Sequence, residues 1–452
     1  MKEPAHSSGA INCSLACILR VTLPVLFSFL SNSLLYSIDR WILAGYSLDA
    51  MNAASISGGL TVVFTMIPIG IAGTAEVFVG QYNGKREFHK LAAPVWQMLY
   101  LSLLLELFFL PIAYFSDSLN LLPARYLQDG VEYQRILLAF GSLPSANMAL
   151  SAFFIGQGRV AVITAAVLLG ALVNVVLDYL FIFGWKGIPP LGCQGAAVAT
   201  VMATAVQVGF LAGLFFSKRH RTLYGTFKNR KYNPTLVLGC IKIGAPASLA
   251  NLLTMLAWYL VQCAVSNISQ EMATIYNVSL TIWALFAFVG DGLNKSVATF
   301  SSNMIGQRDL PSIRVTCRTF VILALVLESF VAAFLTLAPE KALTLFHFPL
   351  DNSGMTQEIR IVFLLMSTSI VLESMISIFW GILMSGGDSK YPTIVSQTCL
   401  WIGVMLPVGI LCLRGQLDSV TFVYLLDALR AVPCLFLLYR RYKSLAWYNK
   451  IV

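Results

Sequence analysis

About twelve apolar runs of roughly 20 residues, separated by short polar loops, dominate this 452-residue chain. They lie near residues 16–46, 54–83, 92–115, 131–156, 160–184, 191–216, 237–266, 273–305, 317–338, 357–385, 391–413 and 417–440. In hydrocarbon every backbone N–H and C=O must find its partner within the protein, so runs of this length are read as transmembrane helices. Charged residues make up only 11% of the chain against 58% hydrophobic, where a soluble domain carries roughly 25% charge. The chain is therefore expected to be an all-α polytopic membrane protein.

The net charge of +9 does not point to nucleic acid, because the basic residues are sorted by loop. Lys85, Arg86 and Lys90 follow the second span; Lys218, Arg219, Arg221, Lys228, Arg230 and Lys231 fill the loop after the sixth. Arg308, Arg314 and Arg318 follow the eighth, and Arg440, Arg441, Lys443 and Lys450 close the chain. The intervening loops carry mainly Asp49, Asp117, Asp129, Glu271, Glu340 and Asp351. The positive-inside rule then places both termini in the cytoplasm, and the short loops suit a bacterial inner membrane. Arg20 interrupts the first apolar stretch, so no cleaved signal is expected. The nine cysteines show no CxxC or zinc-like spacing and read as packing residues.

A shift of 222 residues lays Pro24 on Pro246, Gly70 on Gly292, Glu106 on Glu328 and Gly84 on Gly306 without a gap. It also pairs the GKR at 84–86 with the GQR at 306–308. Shared leucines mean nothing between membrane helices, but a shared mid-span glutamate and loop signature indicate an internal repeat. The expectation is two pseudo-symmetric six-helix bundles, residues 1–216 and 237–452, joined by a basic linker at 217–236 and enclosing a central cleft. An even number of spans per repeat enters the membrane from the same side, which is an alternating-access arrangement.

The most demanding residues lie in the fifth span. Asn174 and Asp178 are four apart, hence on one helix face, inside an apolar run. An ionised carboxylate at that depth costs several kcal/mol unless it meets a polar cavity, a proton, an ion or a partner charge. Asn32 and Asp39 share a face of the first span, and Thr200, Thr204 and Gln207 share one of the sixth. Two carboxylates, an amide and a hydroxyl suit Na⁺, and a close carboxylate pair suits a proton equally.

Several stretches together resemble the multidrug and toxic compound extrusion (MATE) family, in its bacterial and archaeal form. They are DRWILAGYSLDAMNAAS in the first span, GTAEVFVGQYNGKRE in the second, LVNVVLDYLFIFG followed by GAAVAT, and MSGGDSKYP after the tenth. The resemblance covers nearly the whole chain. It implies a cation site in the N-terminal bundle at Asp39, Asn174, Asp178 and Thr200, and a first span that bends at Pro24 when the acids protonate. Some relatives carry an acid in the seventh span where this chain has Thr254; the tenth-span acid corresponds to Glu373.

The function expected on this basis is a secondary active antiporter that exports amphiphilic organic cations in exchange for Na⁺ or H⁺. It needs no other cofactor and works as a monomer in the bilayer. Secondary positions are Asn32, Pro24, Tyr36, Glu373, Asp291, Asn294 and Lys295. Lys295, at i+4 from Asp291, is a tethered cation able to neutralise Asp291 or Glu373, and the two read either as a transport element or as a self-satisfied ion pair near a helix end. Arg40 is expected to point about 100° away from Asp39 around the helix and to snorkel or pair elsewhere. Tyr36, Tyr179, Phe153, Phe154, Trp258, Tyr276 and Trp283 are available to line a cleft or to pack. Glu106 and Glu328, at equivalent places in the two halves, suggest a symmetric packing or hydrogen-bonding role. The alternative is a lipid-linked oligosaccharide flippase, which should place basic residues in the cleft. An enzyme is disfavoured, because all four histidines fall outside the spans and no HExxH, Ser/Lys or paired-Asp motif lies within them. A channel is disfavoured for want of a repeated filter loop.

Overall fold

The computed structural model describes residues 15–448, apart from 85, 120, 158, 188, 307, 347 and 349–352. The described residues form helices and no strand. In chain order these are α1 (Leu15–Tyr46), α2 (Leu48–Gly73), α3 (Ala75–Gly84), α4 (Ala92–Tyr114), α5 (Ser116–Leu119), α6 (Leu127–Leu138), α7 (Leu143–Ile155), α8 (Val160–Ile182), α9 (Cys193–Phe215) and α10 (Lys218–Tyr224). There follow α11 (Pro234–Ile268), α12 (Gln270–Phe286), α13 (Phe288–Gly306), α14 (Leu310–Leu337), α15 (Pro339–Leu345), α16 (Ser353–Ser385), α17 (Lys390–Leu400), α18 (Leu406–Leu413) and α19 (Val420–Lys443). A π-helical turn, Trp401–Met405, joins α17 to α18.

Among the described residues, 10 helices are long and apolar enough to cross a membrane, or 11 if α6 and α7, bent by 41° at their break, count as one span. The 32 residues of α1 reach about 48 Å, enough for a further crossing. The expected helical membrane architecture is present. Polar caps fix the helix ends: Ser47 accepts the Asp49 and Ala50 N–H groups at the start of α2, Asn233 caps α11, and Ser419 caps α19.

The chain divides into two compact units: Met1–Tyr36, Ser279–Thr344 and Pro349–Val452 form one, Ser37–Val278 and Leu345–Phe348 the other. These are not the two sequence repeats, because helices from each repeat pack on helices of the other. In the second unit Gly70 of α2 meets α11 so closely that an added Cβ would lie 2.0 Å from Ser248 Oγ and 2.9 Å from its Cβ. In the first unit a Cβ on Gly292 of α13 would lie 2.6 Å from Leu26 Cδ2 and 3.3 Å from its Cα. Both glycines and both partners are related by the same 222-residue shift, so one helix crossing occurs twice. Close approach between membrane helices needs a small residue, and dispersion between backbones replaces the hydrophobic drive that lipid does not supply.

The second unit also holds a buried amide chain. Gln262 Nε2 donates to Asn277 Oδ1 (2.7 Å), Asn277 Nδ2 to Asn52 Oδ1 (3.0 Å), and Asn52 Nδ2 to Thr274 Oγ1 (2.8 Å). Asn52 and Thr274 are again 222 apart, so this bond joins equivalent positions of the two repeats. In an apolar core such a chain fixes register, because any slip leaves amides unsatisfied.

Candidate functional site

The central cluster of the second unit is built by α1 and α8. Asp39 and Arg40 sit about two turns from the end of α1, and Asp178 lies in the last turns of α8. All three are buried, with 8%, 4% and 0% of their surface exposed. Arg40 Nη1 donates to Asp39 Oδ2 at 2.9 Å, and Nη2 donates to the Ala54 carbonyl at 3.3 Å. The guanidinium carbon lies 5.9 Å from the centre of the Tyr133 ring. Gly58 makes room for it, since a Cβ there would approach Nη2 to 3.0 Å. Arg40 is thus held on several sides, and the expectation that it turns away from Asp39 is corrected. The reach of its side chain overrides the 100° offset of neighbouring positions.

Asp178 presents its carboxyl group to that of Asp39. Among the described residues no donor reaches either oxygen of Asp178, nor Oδ1 of Asp39. Asn174 is half-buried, one turn before Asp178 on the same face, and among the described residues its Nδ2 has no partner. Thr200 is half-buried on α9, where its carbonyl accepts the Thr204 hydroxyl at 2.8 Å. Gln207, further along the same helix, is engaged by Asn147 Nδ2 at 2.9 Å. Three buried carboxylate oxygens without donors therefore converge beside one guanidinium. With both acids ionised, the cluster carries one uncompensated negative charge. The side chains of Asn32 and Tyr36 lie outside the described residues. Pro24 is exposed, and α1 runs through it as one helix.

The first unit contains a second cluster of the same composition. Arg430 Nη2 lies 2.7 Å from Glu373 Oε1 and 2.8 Å from Asp427 Oδ1, and Nε also donates to Asp427 Oδ1 at 2.9 Å. Glu373 is the more accessible acid, its side chain 29% exposed against 11% for Asp427. The neutralising cation is Arg430, so the expectation that Lys295 serves Glu373 is corrected. Asp291 and Lys295 are both exposed and form no ion pair among the described residues; Asn294 between them is half-buried. The i,i+4 spacing allows a pair without forcing one. Sequence reasoning missed Asp427 and Arg430, although their i,i+3 spacing inside the last apolar run was a visible signal.

The two symmetric glutamates have different partners. Glu106 Oε2 accepts the Ser142 N–H at 2.8 Å, ahead of α7, while Glu328, 1% exposed, accepts the Ser374 hydroxyl. Phe153 and Phe154 are fully buried and pack edge-on with Phe215, Tyr224 and His220. They belong to a core and not to a binding surface. Tyr276 is likewise buried, whereas Tyr179 and Trp283 are 49% and 38% exposed.

Comparison with known proteins gives a consistent picture. Residues 24–180 and 246–408 each match the family model MatE. The two matches begin at Pro24 and Pro246, at the spacing of the internal repeat. The chain is 22% identical over 379 residues to the "Probable multidrug resistance protein YoeA" of Bacillus subtilis (strain 168), covering 82% of this chain and 80% of that protein. It shares its fold with a solved inward-facing conformation of a multidrug resistance MATE family transporter of the MOP superfamily. That likeness has a TM-score of 0.80 at 18% identity and covers 96% of this chain and 99% of the other. An outward-facing conformation of such a transporter matches with a TM-score of 0.70 at 19% identity, over 95% and 96% of the two chains.

Proposed function

Because the chain belongs to the MatE family of membrane transporters, we propose that it is a secondary active exporter of amphiphilic organic cations, driven by entry of Na⁺ or H⁺. It would sit in a bacterial inner membrane with both termini in the cytoplasm, as the sorting of its basic loops indicates. The observation that carries the reading is the buried pair Asp39 and Asp178, with one arginine, bonded to Asp39, for the two acids. Arg40 compensates Asp39. Asp178 then needs one positive charge, because an isolated carboxylate inside a membrane protein costs several kcal/mol.

A proton satisfies this need by bridging two facing carboxyl oxygens. Na⁺ satisfies it by gathering the free oxygens of Asp39 and Asp178, with Asn174 and Thr200 as further oxygen donors. In either case the site has two states that differ by one charge. Coupling follows when the loaded and unloaded states favour different openings of the transporter, since an ion shifts a conformational equilibrium only by its differential affinity for the two states. Relatives of this fold in inward-facing and outward-facing conformations support alternating access as the way this difference is used.

For the exported cation, Glu373 is the best placed acid, being the more exposed of the two. The flippase alternative calls for free basic residues within the spans. The buried arginines, Arg40 and Arg430, are each matched by carboxylates; apart from Lys295 of α13, which is exposed, the described sites present acids, which favours a cationic cargo. The test is uptake of a fluorescent organic cation by everted vesicles under an imposed Na⁺ or pH gradient. Gradient-driven uptake that is lost in Asp178→Asn supports the reading; uptake independent of any ion gradient removes it.

A further inference from the structure

The loop that joins the repeats is expected from sequence to be a linker, yet it is fixed to the body of the protein at many points. Trp96 Nε1 donates to the Thr226 carbonyl (2.6 Å), Gln97 Nε2 to the Lys231 carbonyl (2.9 Å), and the Tyr100 hydroxyl to the Arg230 carbonyl. Gln97 Oε1 accepts the Asn233 N–H at 2.9 Å. His220 on α10 is buried, between Arg159 and the Phe153 and Phe154 rings. Gly225 turns the chain after α10 in the left-handed region, at φ +60°. The loop's carbonyls are thus committed inward to α4, while Lys218, Arg219, Arg221, Lys228, Arg230 and Lys231 are all exposed. No acid lies between residues 217 and 236.

At the end of this loop is a cavity of about 300 Å³ lined by Lys228, Asn229, Lys231, Tyr232, Asn233 and Pro234. Asn229 Nδ2 donates to the His89 carbonyl, and the Asn233 side-chain oxygen caps α11. The cavity lining offers a ligand two ammonium groups, a phenol and the Asn233 amide N–H groups, a donor set for an anion with several oxygens. The same loop exposes Leu223, Phe227 and Tyr232 by 53%, 40% and 65%, and Trp96 and Tyr100 lie beneath it. Aromatic residues with basic ones at the end of a span mark the headgroup layer.

We propose that this cavity binds the phosphate of an anionic phospholipid, with Lys228 and Lys231 as its charge partners and Tyr232 as a further donor. A phospholipid fits better than free phosphate, because the exposed apolar side chains of the loop gain from the bilayer interface only if the ligand brings that interface with it. The lipid would fasten the joint between the two repeats, where α4 and the start of α11 meet. Basic side chains near an anionic leaflet contribute about 1 kcal/mol each, so removing both lysines lowers lipid affinity about 30-fold.

The test uses the full-length protein in nanodiscs of phosphatidylcholine with added phosphatidylglycerol, reading retained lipid by native mass spectrometry. Phosphatidylglycerol is expected to be retained selectively, to be lost in Lys228→Gln/Lys231→Gln, and to return in Lys228→Arg/Lys231→Arg. The double variant Lys218→Gln/Arg219→Gln removes the same charge from the same loop outside the cavity and is expected to retain the lipid. Equal loss in both Gln pairs would reduce the effect to diffuse surface charge and overturn the site. Displacement of the lipid by inorganic phosphate alone would overturn it as well, as would absence of any preference over phosphatidylcholine.

Discussion

Arg40→Gln is the perturbation whose consequence can be worked most fully. The substitution removes a guanidinium bonded to Asp39 at 2.9 Å in a site where Asp39 is 8% exposed. With charge centres about 4 Å apart and an effective dielectric of about 20, the lost attraction is about 4 kcal/mol. That figure agrees with the roughly 3–5 kcal/mol typical of breaking a buried pair from one side. At an unfolding entropy of about 2.1 cal/mol/K per residue, 4 kcal/mol lowers the melting midpoint of a chain this long by about 4 °C. The double variant Asp39→Asn/Arg40→Gln removes the orphaned charge and should recover most of the loss. The assay is thermal unfolding of wild type, both single variants and the double variant in one detergent, closed as a cycle. If Arg40→Gln melts with the wild type, or the double variant melts lower than either single one, the ion pair is not what holds this corner together.

The repeated helix crossing makes a paired prediction: Gly70→Ala and Gly292→Ala should each destabilise by about 1–3 kcal/mol, read as lower melting midpoints, because each Cβ would meet the facing helix within 3 Å. In the second cluster Glu373→Gln should fold normally, since Arg430 keeps two contacts to Asp427, while Asp427→Asn/Glu373→Gln strands the arginine and should reduce the folded yield. At the start of α14, hydrogen bonds from the Ser312 side chain and N–H hold the Asp309 carboxyl below the usual value of 3.8. Its capping contribution is therefore complete above the unfolded value and is lost only as pH falls through the lower folded one. An acid titration of helix content in Asp309→Asn against wild type should show the two converging at the lowest pH and separating above it.

Much of this arrangement is written in local patterns. The apolar runs fix the helices, and the 222-residue shift is legible because Gly70 and Gly292 serve one crossing twice. Asn174 and Asp178 stand out because a polar i,i+4 pair in a membrane helix needs a reason. What escaped the sequence depends on reach and packing. Arg40 bonds its neighbour because a long side chain folds back along the helix, which angular reasoning from Cβ directions misses. Asp427 and Arg430 escaped because an i,i+3 acid–base pair near the end of the chain reads as self-satisfied until Glu373 of α16 is seen to share the arginine. Asp291 and Lys295 have the spacing of a pair, yet among the described residues they form none, because i,i+4 spacing brings two positions onto one face without fixing where the side chains go. The compact units cut across the repeats because packing at the two glycines, and not chain order, decides which helices consolidate.

The account rests on the buried Asp39 and Asp178 pair as the place where a driving ion is held. The most direct measurement compares gradient-driven export by the wild type with Asp178→Asn and Glu373→Gln, each reconstituted in proteoliposomes with a Na⁺ or a pH gradient applied separately. Asp178→Asn should still bind the organic cation while losing all acceleration by the gradient, and Glu373→Gln should bind it more weakly while what it transports stays gradient-dependent. Full gradient-driven export by Asp178→Asn would contradict the central claim.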